Sequence, residues 1–380
     1  MKVAAIICEY NPFHNGHKFH IDCTKKLCGA DAVVAIMSGN FVQRGDASIY
    51  SKNLRAKAAI EGGIDLVLEL PLIYSTASAE LFAKGAVDTL NAFGIIDFLS
   101  FGAEISDKDQ LLKISDLLAK EPKIFTDKLK AFAASGLSFP VARAKAVGDI
   151  LEEDSENILS TPNNILGIEY CKALIKSDSS IEPLLVKRTG ANHDSNTAAD
   201  NIASASLIRG MMLSSQADAF SYMPRYAENI FKNQPVHSIK ALEKAILCEL
   251  IKIPAEDLRK IADVSEGLEN RIKKAALSAT TLEELIDSVK TKRYTHSRIR
   301  RIILAAFLGI SDAERHASPK YIKVLDHNET GKKLIASAKK ISTLPILRNT
   351  SQVNKLGNPE LKSAWERERL FDKIYTMTEI

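Results

Sequence analysis

The chain opens on a short apolar run, Val3–Cys8, and similar runs return at residues 32–37, 66–70, 98–101 and 184–187. Each has strand length and is largely apolar, the pattern of a strand covered on both faces. Between them the apolar positions shift to helical spacing, around residues 18–27, 51–61, 79–92 and 107–118. Gly29, the Gly62 and Gly63 pair and Gly94 fall where those helices should stop. The alternation predicts an α/β fold with a Rossmann-like, doubly wound parallel sheet, whose ligands sit beyond the carboxyl ends of the strands. Residues 118–159 interrupt the rhythm with a helical insertion rich in Lys and Ala. Beyond about Ser204 no strand pattern returns, and residues 237–251, 255–261, 268–276, 281–289 and 297–308 read as successive helices. A mixed segment, 321–347, ends in the apolar stretch 343–347. The expected organisation is an α/β domain over residues 1–204 and a mainly α-helical domain over 205–380.

Composition agrees with a globular chain: 46% of residues are hydrophobic and 26% charged, enough apolar surface for a sizeable core. The five cysteines, Cys8, Cys23, Cys28, Cys171 and Cys248, show no paired spacing, which argues against a zinc site or a disulfide frame. The first apolar run is far too short to span a bilayer and no secretory leader precedes it, so a cytoplasmic location without membrane contact is expected. The net charge of +4 conceals an asymmetry. Residues 1–204 hold 21 Lys and Arg against 26 Asp and Glu, whereas residues 205–380 hold 30 against 21. The basic surplus of the second half suits either a solvated helical surface or a face that meets nucleic acid.

The strongest local signal is Glu9-Tyr10-Asn11-Pro12-Phe13-His14-Asn15-Gly16-His17, set between the first strand and the first helix. A helix N-terminus offers unpaired N–H groups and the positive end of the dipole, so phosphate oxygens are favoured there, and Gly16 allows close backbone approach. His14 and His17, three residues apart, are placed to donate to one phosphate chain. The same pair also suits a capping turn, or a metal for which no third ligand is evident.

His14-Asn15-Gly16-His17 resembles the HxGH signature of the nucleotidyltransferase superfamily that includes the class I aminoacyl-tRNA synthetases. Residues 202–209, which carry Ser204, Ser206 and Arg209 at the opening of a helix, resemble that superfamily's second motif in relaxed form, with Ala205 replacing a small hydroxyl residue. Ser204 and Ser206 also suit an ordinary N-cap, but a cap alone does not explain Arg209 at that offset. The glycine-punctuated loop from Ser38 to Asp46, the Phe101-Gly102-Ala103-Glu104 stretch, Pro162-Asn163-Asn164, Lys187-Arg188 and the basic segment 292–301 extend the likeness along essentially the whole chain. Together they resemble the bacterial tRNA(Met) cytidine acetate ligase family.

That resemblance implies an enzyme that joins acetate to AMP from ATP, with Mg²⁺ on the phosphates, and passes the acetyl group to the wobble cytidine of elongator tRNA(Met) to give N4-acetylcytidine. It implies ATP contacts at Ile7, Cys8, Glu9, Tyr10, Asn11, Pro12, Phe13, His14, Asn15, Gly16, His17, Lys18, Phe19, His20, Gly102, Asn163 and Arg188, with Asn164 an alternative to Asn163. His14 and His17 are expected to stabilise the transition state, Lys18 and Arg209 to add phosphate contacts, and Ser204 and Ser206 to help hold the leaving pyrophosphate. A helix over residues 295–308 would bring Arg298 and Arg301 onto one basic stripe with Ile299, Ile302 and Ile303 facing a core. Lys292, Arg293, Tyr294 and His296 add charge and stacking groups suited to single-stranded RNA, and Lys332, Lys333, Lys339 and Lys340 extend the surface more weakly. Two other readings use the same features: an adenylyltransferase acting on a small metabolite, and a non-catalytic tRNA- or ribosome-binding factor.

Overall fold

The structure is a computed structural model and describes residues 1–105, 107–152, 155–187, 203–214, 216–265, 267–291 and 294–380. The apolar runs form strands where they were expected: β1 (Val3–Cys8), β2 (Ala32–Ser38), β5 (Leu66–Leu70), β6 (Phe98–Ala103) and β7 (Glu182–Lys187). Two short strands, β3 (Phe41–Val42) and β4 (Asp46–Ala47), pair as a separate antiparallel ribbon after β2. β8 (Ile322–His327) and β9 (Ile346–Leu347) complete a seven-stranded sheet of order β7-β6-β1-β2-β5-β8-β9. All pairings are parallel except β5 with β8.

Alternate residues of β2 feed opposite cores, as a doubly wound sheet requires. Ala32, Val34 and Ile36 pack with the helices α3 (Ala79–Phe93), α4 (Lys108–Lys120) and α5 (Pro162–Lys176). Val33, Ala35 and Met37 pack with α1 (Asn15–Cys28), α2 (Lys52–Glu61) and α6 (Ala205–Ser214). The described residues of the segment 118–159 are mainly helical, as expected, with helices at Lys123–Ala134, Phe139–Leu151 and Ser155–Ile158. A third core gathers the helices between residues 243 and 308, including α7 (His296–Leu308), and reaches Phe41 and Ala47 of the ribbon. Among the described residues no helix is long and apolar enough to cross a membrane.

The expectation that strands cease beyond Ser204 is corrected, because the mixed segment 321–347 supplies β8 and β9 to the sheet, joined by α8 (Glu329–Ala338). The signal was weak because β8 alternates charged and apolar residues while β9 has only two residues. Gly331 explains how α8 lies so close to the sheet: a Cβ there would stand 2.0 Å from the Asp65 carbonyl oxygen. Asn328, which caps α8, ties the same corner by donating Nδ2 to Asp65 Oδ1 at 2.8 Å.

A buried ionic cluster joins this added edge to the C-terminal helix α9 (Pro359–Tyr375). Glu69 of β5 pairs at 2.7 Å with both Lys52 and Lys323, and Lys52 also reaches Asp372 at 2.5 Å. Burial alone would raise the Glu69 carboxyl; the ammoniums of Lys323 and Lys52 overturn that and hold it well below the usual carboxylate range. The neighbouring Glu368, which accepts from the Leu72 N–H at 2.9 Å, is pushed up to about 7 by burial and by the Glu69 charge. A carboxyl whose pKa is raised on folding stabilises the fold below its unfolded pKa, and that contribution is lost as pH rises through about 7. Glu368→Gln retains an acceptor for Leu72 and removes the titration. It is expected to flatten the fall in melting temperature between about pH 5 and about pH 8, which thermal denaturation of both chains measures.

Candidate active site

In the sheet the strand order reverses between β1 and β6, so a crevice opens beyond their carboxyl ends. The crevice is a cleft of about 630 Å³, and the loop after β1 forms its floor. Tyr10 turns that loop with φ of 47°, in the left-handed region that a side chain rarely adopts, while Phe13 is fully buried beneath it. Gly62 accommodates that ring, since a Cβ there would meet Phe13 Cζ at 2.4 Å.

His14 is the N-cap of α1, one turn earlier than the expected helix start. Its Nδ1 accepts the Gly16 N–H at 3.1 Å, and His17 Nδ1 accepts the His14 N–H at 3.3 Å. The two rings stack with centroids 3.7 Å apart and planes at 28°. Because a neutral imidazole that accepts at Nδ1 carries its proton on Nε2, the helix cap itself selects the tautomer in both rings. Both residues line the cleft, so the two imidazoles and the positive end of the helix dipole serve one space. The capping and phosphate-binding readings of this pair are therefore compatible.

The second motif reaches the first through Arg209. Its guanidinium donates to the Asn11 carbonyl at 2.8 Å and to Ser206 Oγ at 3.1 Å, and it lines the cleft. Ser204 also lines the cleft, and its Oγ accepts the Leu207 N–H at 3.1 Å, so it caps α6 as well. Ser206 braces Arg209 and is not part of the cleft wall.

Ile7, Cys8, Glu9, Tyr10, Asn11, Gly16, Phe19, His20, Gly102 and Asn163 also line the cleft. Burial pushes the Cys8 thiol well above its ordinary range, which makes it a poor nucleophile at neutral pH. His20 Nε2 is 3.0 Å from Ser100 Oγ. Pro12, Phe13 and Asn15 are outside the wall: Phe13 is core, and Asn15 donates its N–H to the Tyr222 carbonyl at 3.0 Å. Lys18 is also outside, with its ammonium paired to Asp22 2.5 Å away. The i,i+4 spacing of Lys18 and Asp22 on α1 accounts for this. Arg188 lies outside the described residues.

Asn163 and Asn164 separate cleanly. Asn163 lines the cleft and donates Nδ2 to Glu104 Oε1 at 2.5 Å. Asn164 is buried, and its Oδ1 accepts the N–H groups of Glu104 and Ile105 at 2.9 and 3.1 Å, which fixes the turn after β6.

The α7 helix forms with Ile299, Ile302 and Ile303 buried, as expected, and the polar residues on and before it have different surroundings. Arg298 donates to the Asp263 carbonyl at 3.2 Å and to Ser265 Oγ at 3.0 Å. Tyr294 is 6% exposed within the helical core, so its ring is not an open stacking platform. His296 pairs with Asp287 at 3.1 Å. Arg301 lines the cleft with Ser297, while Lys292 and Arg293 lie outside the described residues. Periodicity gave the helix correctly, but it does not report which of its polar residues find local partners.

Arg55 carried no motif in the sequence, yet it anchors the site. The side chain is fully buried and donates to the carbonyls of Tyr50 at 2.9 Å, Ser38 at 3.2 Å, Glu9 and Gly39. Glu9 Oε1 in turn accepts the Gln43 N–H at 2.8 Å, which ties the loop after β1 to the ribbon.

The chain matches the HIGH Nucleotidyl Transferase family over residues 1–379. It is 41% identical to the tRNA(Met) cytidine acetate ligase of Acetivibrio thermocellus, across 99% of this chain and 95% of that protein. The enzyme of the same name from Thermoanaerobacter sp. is also 41% identical, with the same coverage of both chains. The crystal structure of ligand-free Thermotoga maritima TmcAL superposes with a TM-score of 0.94 at 30% identity, covering 100% of this chain and 95% of that one. Its form with bound alpha-thio ATP gives a TM-score of 0.92 with the same identity and coverage.

Because Asn164 satisfies two backbone donors, Asn164→Ala is expected to cost about 1–3 kcal/mol of stability. Asn163→Ala, which removes a single contact at the cleft surface, should cost under about 1.5 kcal/mol. Urea denaturation of both variants beside the parent chain measures the difference.

Proposed function

Since the chain belongs to the tRNA(Met) cytidine acetate ligase family of HIGH nucleotidyl transferases, we propose that it activates acetate with ATP as acetyl-adenylate and acetylates the wobble cytidine of elongator tRNA(Met). The observation that carries this reading is the stacked His14–His17 pair, held in one tautomer at the N-terminus of α1 and sharing a cleft with Arg209.

In the first step a carboxylate oxygen attacks the α-phosphorus, a new O–P bond forms, and the bond to the β-phosphate oxygen breaks to release pyrophosphate. Negative charge grows on the departing oxygens, where the two imidazoles, the positive end of the α1 dipole and the Arg209 guanidinium share the cleft. Asn163, Gly102, Ser204 and Arg188 belong to the same proposed ATP contact set. Mg²⁺ expected with ATP would offset charge on the triphosphate, and among the described residues no group of three or more His, Cys, Asp or Glu side chains forms a separate metal site. In the second step the exocyclic amine of cytidine attacks the acetyl carbonyl, the C–O bond to AMP breaks, and the amine loses a proton. The mixed anhydride is already reactive, so this step needs an aligned amine and a site closed to water.

In this division of labour residues 1–204, with Arg209 just beyond them, hold most of the activation site and the basic second half guides the RNA. Compartment follows from substrate: a tRNA-modifying enzyme works in the cytoplasm. Acetate-dependent exchange of labelled pyrophosphate into ATP tests the first step, and mass spectrometry of tRNA nucleosides after incubation with ATP and acetate tests the whole reaction. His17→Ala should reduce exchange by about 10²–10³-fold while tRNA affinity stays near that of the parent chain. A parent chain that exchanges pyrophosphate only with another small acid, or forms no N4-acetylcytidine, overturns the assignment.

A further inference from the structure

Helix α7 carries the arginines Arg298, Arg300 and Arg301, and their surroundings differ. Arg298 is held by Asp263 and Ser265, and Arg300 by Glu283 at 2.9 Å. Among the described residues Arg301 has neither a hydrogen bond nor an ion pair, and its Nε is shut off from solvent. Asp263, whose charge it feels, stands outside ion-pair distance. Its guanidinium lines the cleft beside Ser297 of α7 and Gln43 and Arg44 of the ribbon. A half-buried cation with no anion beside it is costly, and such a group persists where a ligand supplies the missing charge.

The position of Arg301 is set by backbone contact. Gly45, at φ of +73°, lies against α7 so closely that a Cβ would meet the Arg301 N at 2.7 Å and the Arg300 carbonyl carbon at 2.6 Å. The ribbon and α7 therefore form one wall of the cleft, beyond β2, while the His pair and the α1 N-terminus lie beyond β1. The phosphate side already has its donors. What lacks one is the acid: a carboxylate must approach a polyanionic triphosphate against charge repulsion, and a cation on the far wall offsets it. The position of Arg301 in the cleft wall, between α7 and the ribbon, favours a small anion inside the cleft over an RNA phosphate, which would stay at the rim.

Resting on the ligase reading above, the geometry points to Arg301 as the residue that binds the carboxylate of the acyl substrate, so that the second half of the chain completes the activation site. One carboxylate oxygen accepts from the guanidinium, and the other is left to attack the α-phosphorus.

The test measures pyrophosphate exchange against acetate concentration for the parent chain, Arg301→Met and Arg301→Lys, with ATP affinity measured by calorimetry without acetate. Arg301→Met is expected to raise the KM for acetate about 10–100-fold, Arg301→Lys less, and both should bind ATP within about twofold of the parent chain. ATP binding also reports that the variants fold, and Arg301→Lys retains the charge if the Met variant does not. An unchanged KM for acetate overturns the inference. So does a matching loss of ATP affinity, which would place Arg301 on the triphosphate, or a defect confined to acetyl transfer onto tRNA, which would place it on the RNA. Acetate-independent behaviour of the parent chain would instead remove the ligase reading itself, and this inference with it.

Discussion

The arrangement of the cleft depends on the buried guanidinium of Arg55. Loops leaving β1 and β2 side by side expose carbonyl groups at the carboxyl ends of the strands, and in an apolar interior those groups need donors. Arg55 supplies them to Glu9, Ser38, Gly39 and Tyr50 at once. Removing a guanidinium from water costs several kcal/mol, and burial draws its pKa down, so the arrangement holds only because several acceptors converge on it. With the loop after β1 pinned there, the cap of α1 forms at one place. The stacking of His14 on His17 and the choice of tautomer follow from that cap rather than from any direct contact between Arg55 and the imidazoles.

Two interactions carry this order into the second half of the chain. Arg209 returns to the Asn11 carbonyl, so the helix after the second motif is indexed to the first. Gly45 lets the ribbon press on the backbone of α7, and Glu69 is clamped by lysines from α2 and β8, with Lys52 also paired to Asp372 on α9. The cleft is thus enclosed by elements from both halves. Neither half presents the full set of cations alone.

Much of this was legible in the residues, and the boundary of legibility has a physical cause. Largely apolar strands such as β1, β2 and β5 announce themselves because both faces are buried, and the histidine motif is readable because its spacing matches one helical turn. β8 escaped because a strand beside the sheet edge keeps polar residues such as Lys323 and Asp326, and an isolated two-residue strand like β9 has no periodicity. Arg55 was silent, and the structural role of Asn164 unreadable, for another reason: their partners are backbone atoms distant in sequence, and no side-chain pattern encodes such contacts. The α7 arginines show the converse case. Their charge was plain from the sequence, but whether each faced RNA, a neighbouring carbonyl or the cleft depended on tertiary neighbours.

The late arrival of β8 has a consequence for how the chain is made. During synthesis from the N-terminus, β5 emerges with all five residues destined for burial, while the strand that covers its outer edge lies about two hundred and fifty residues downstream. Until that strand is translated, a growing polypeptide presents an open, apolar sheet margin of the kind that recruits foreign strands. The N-terminal portion is therefore a nascent-chain hazard that only the nearly finished protein resolves, and a gene fragment ending near residue 204 inherits that hazard permanently.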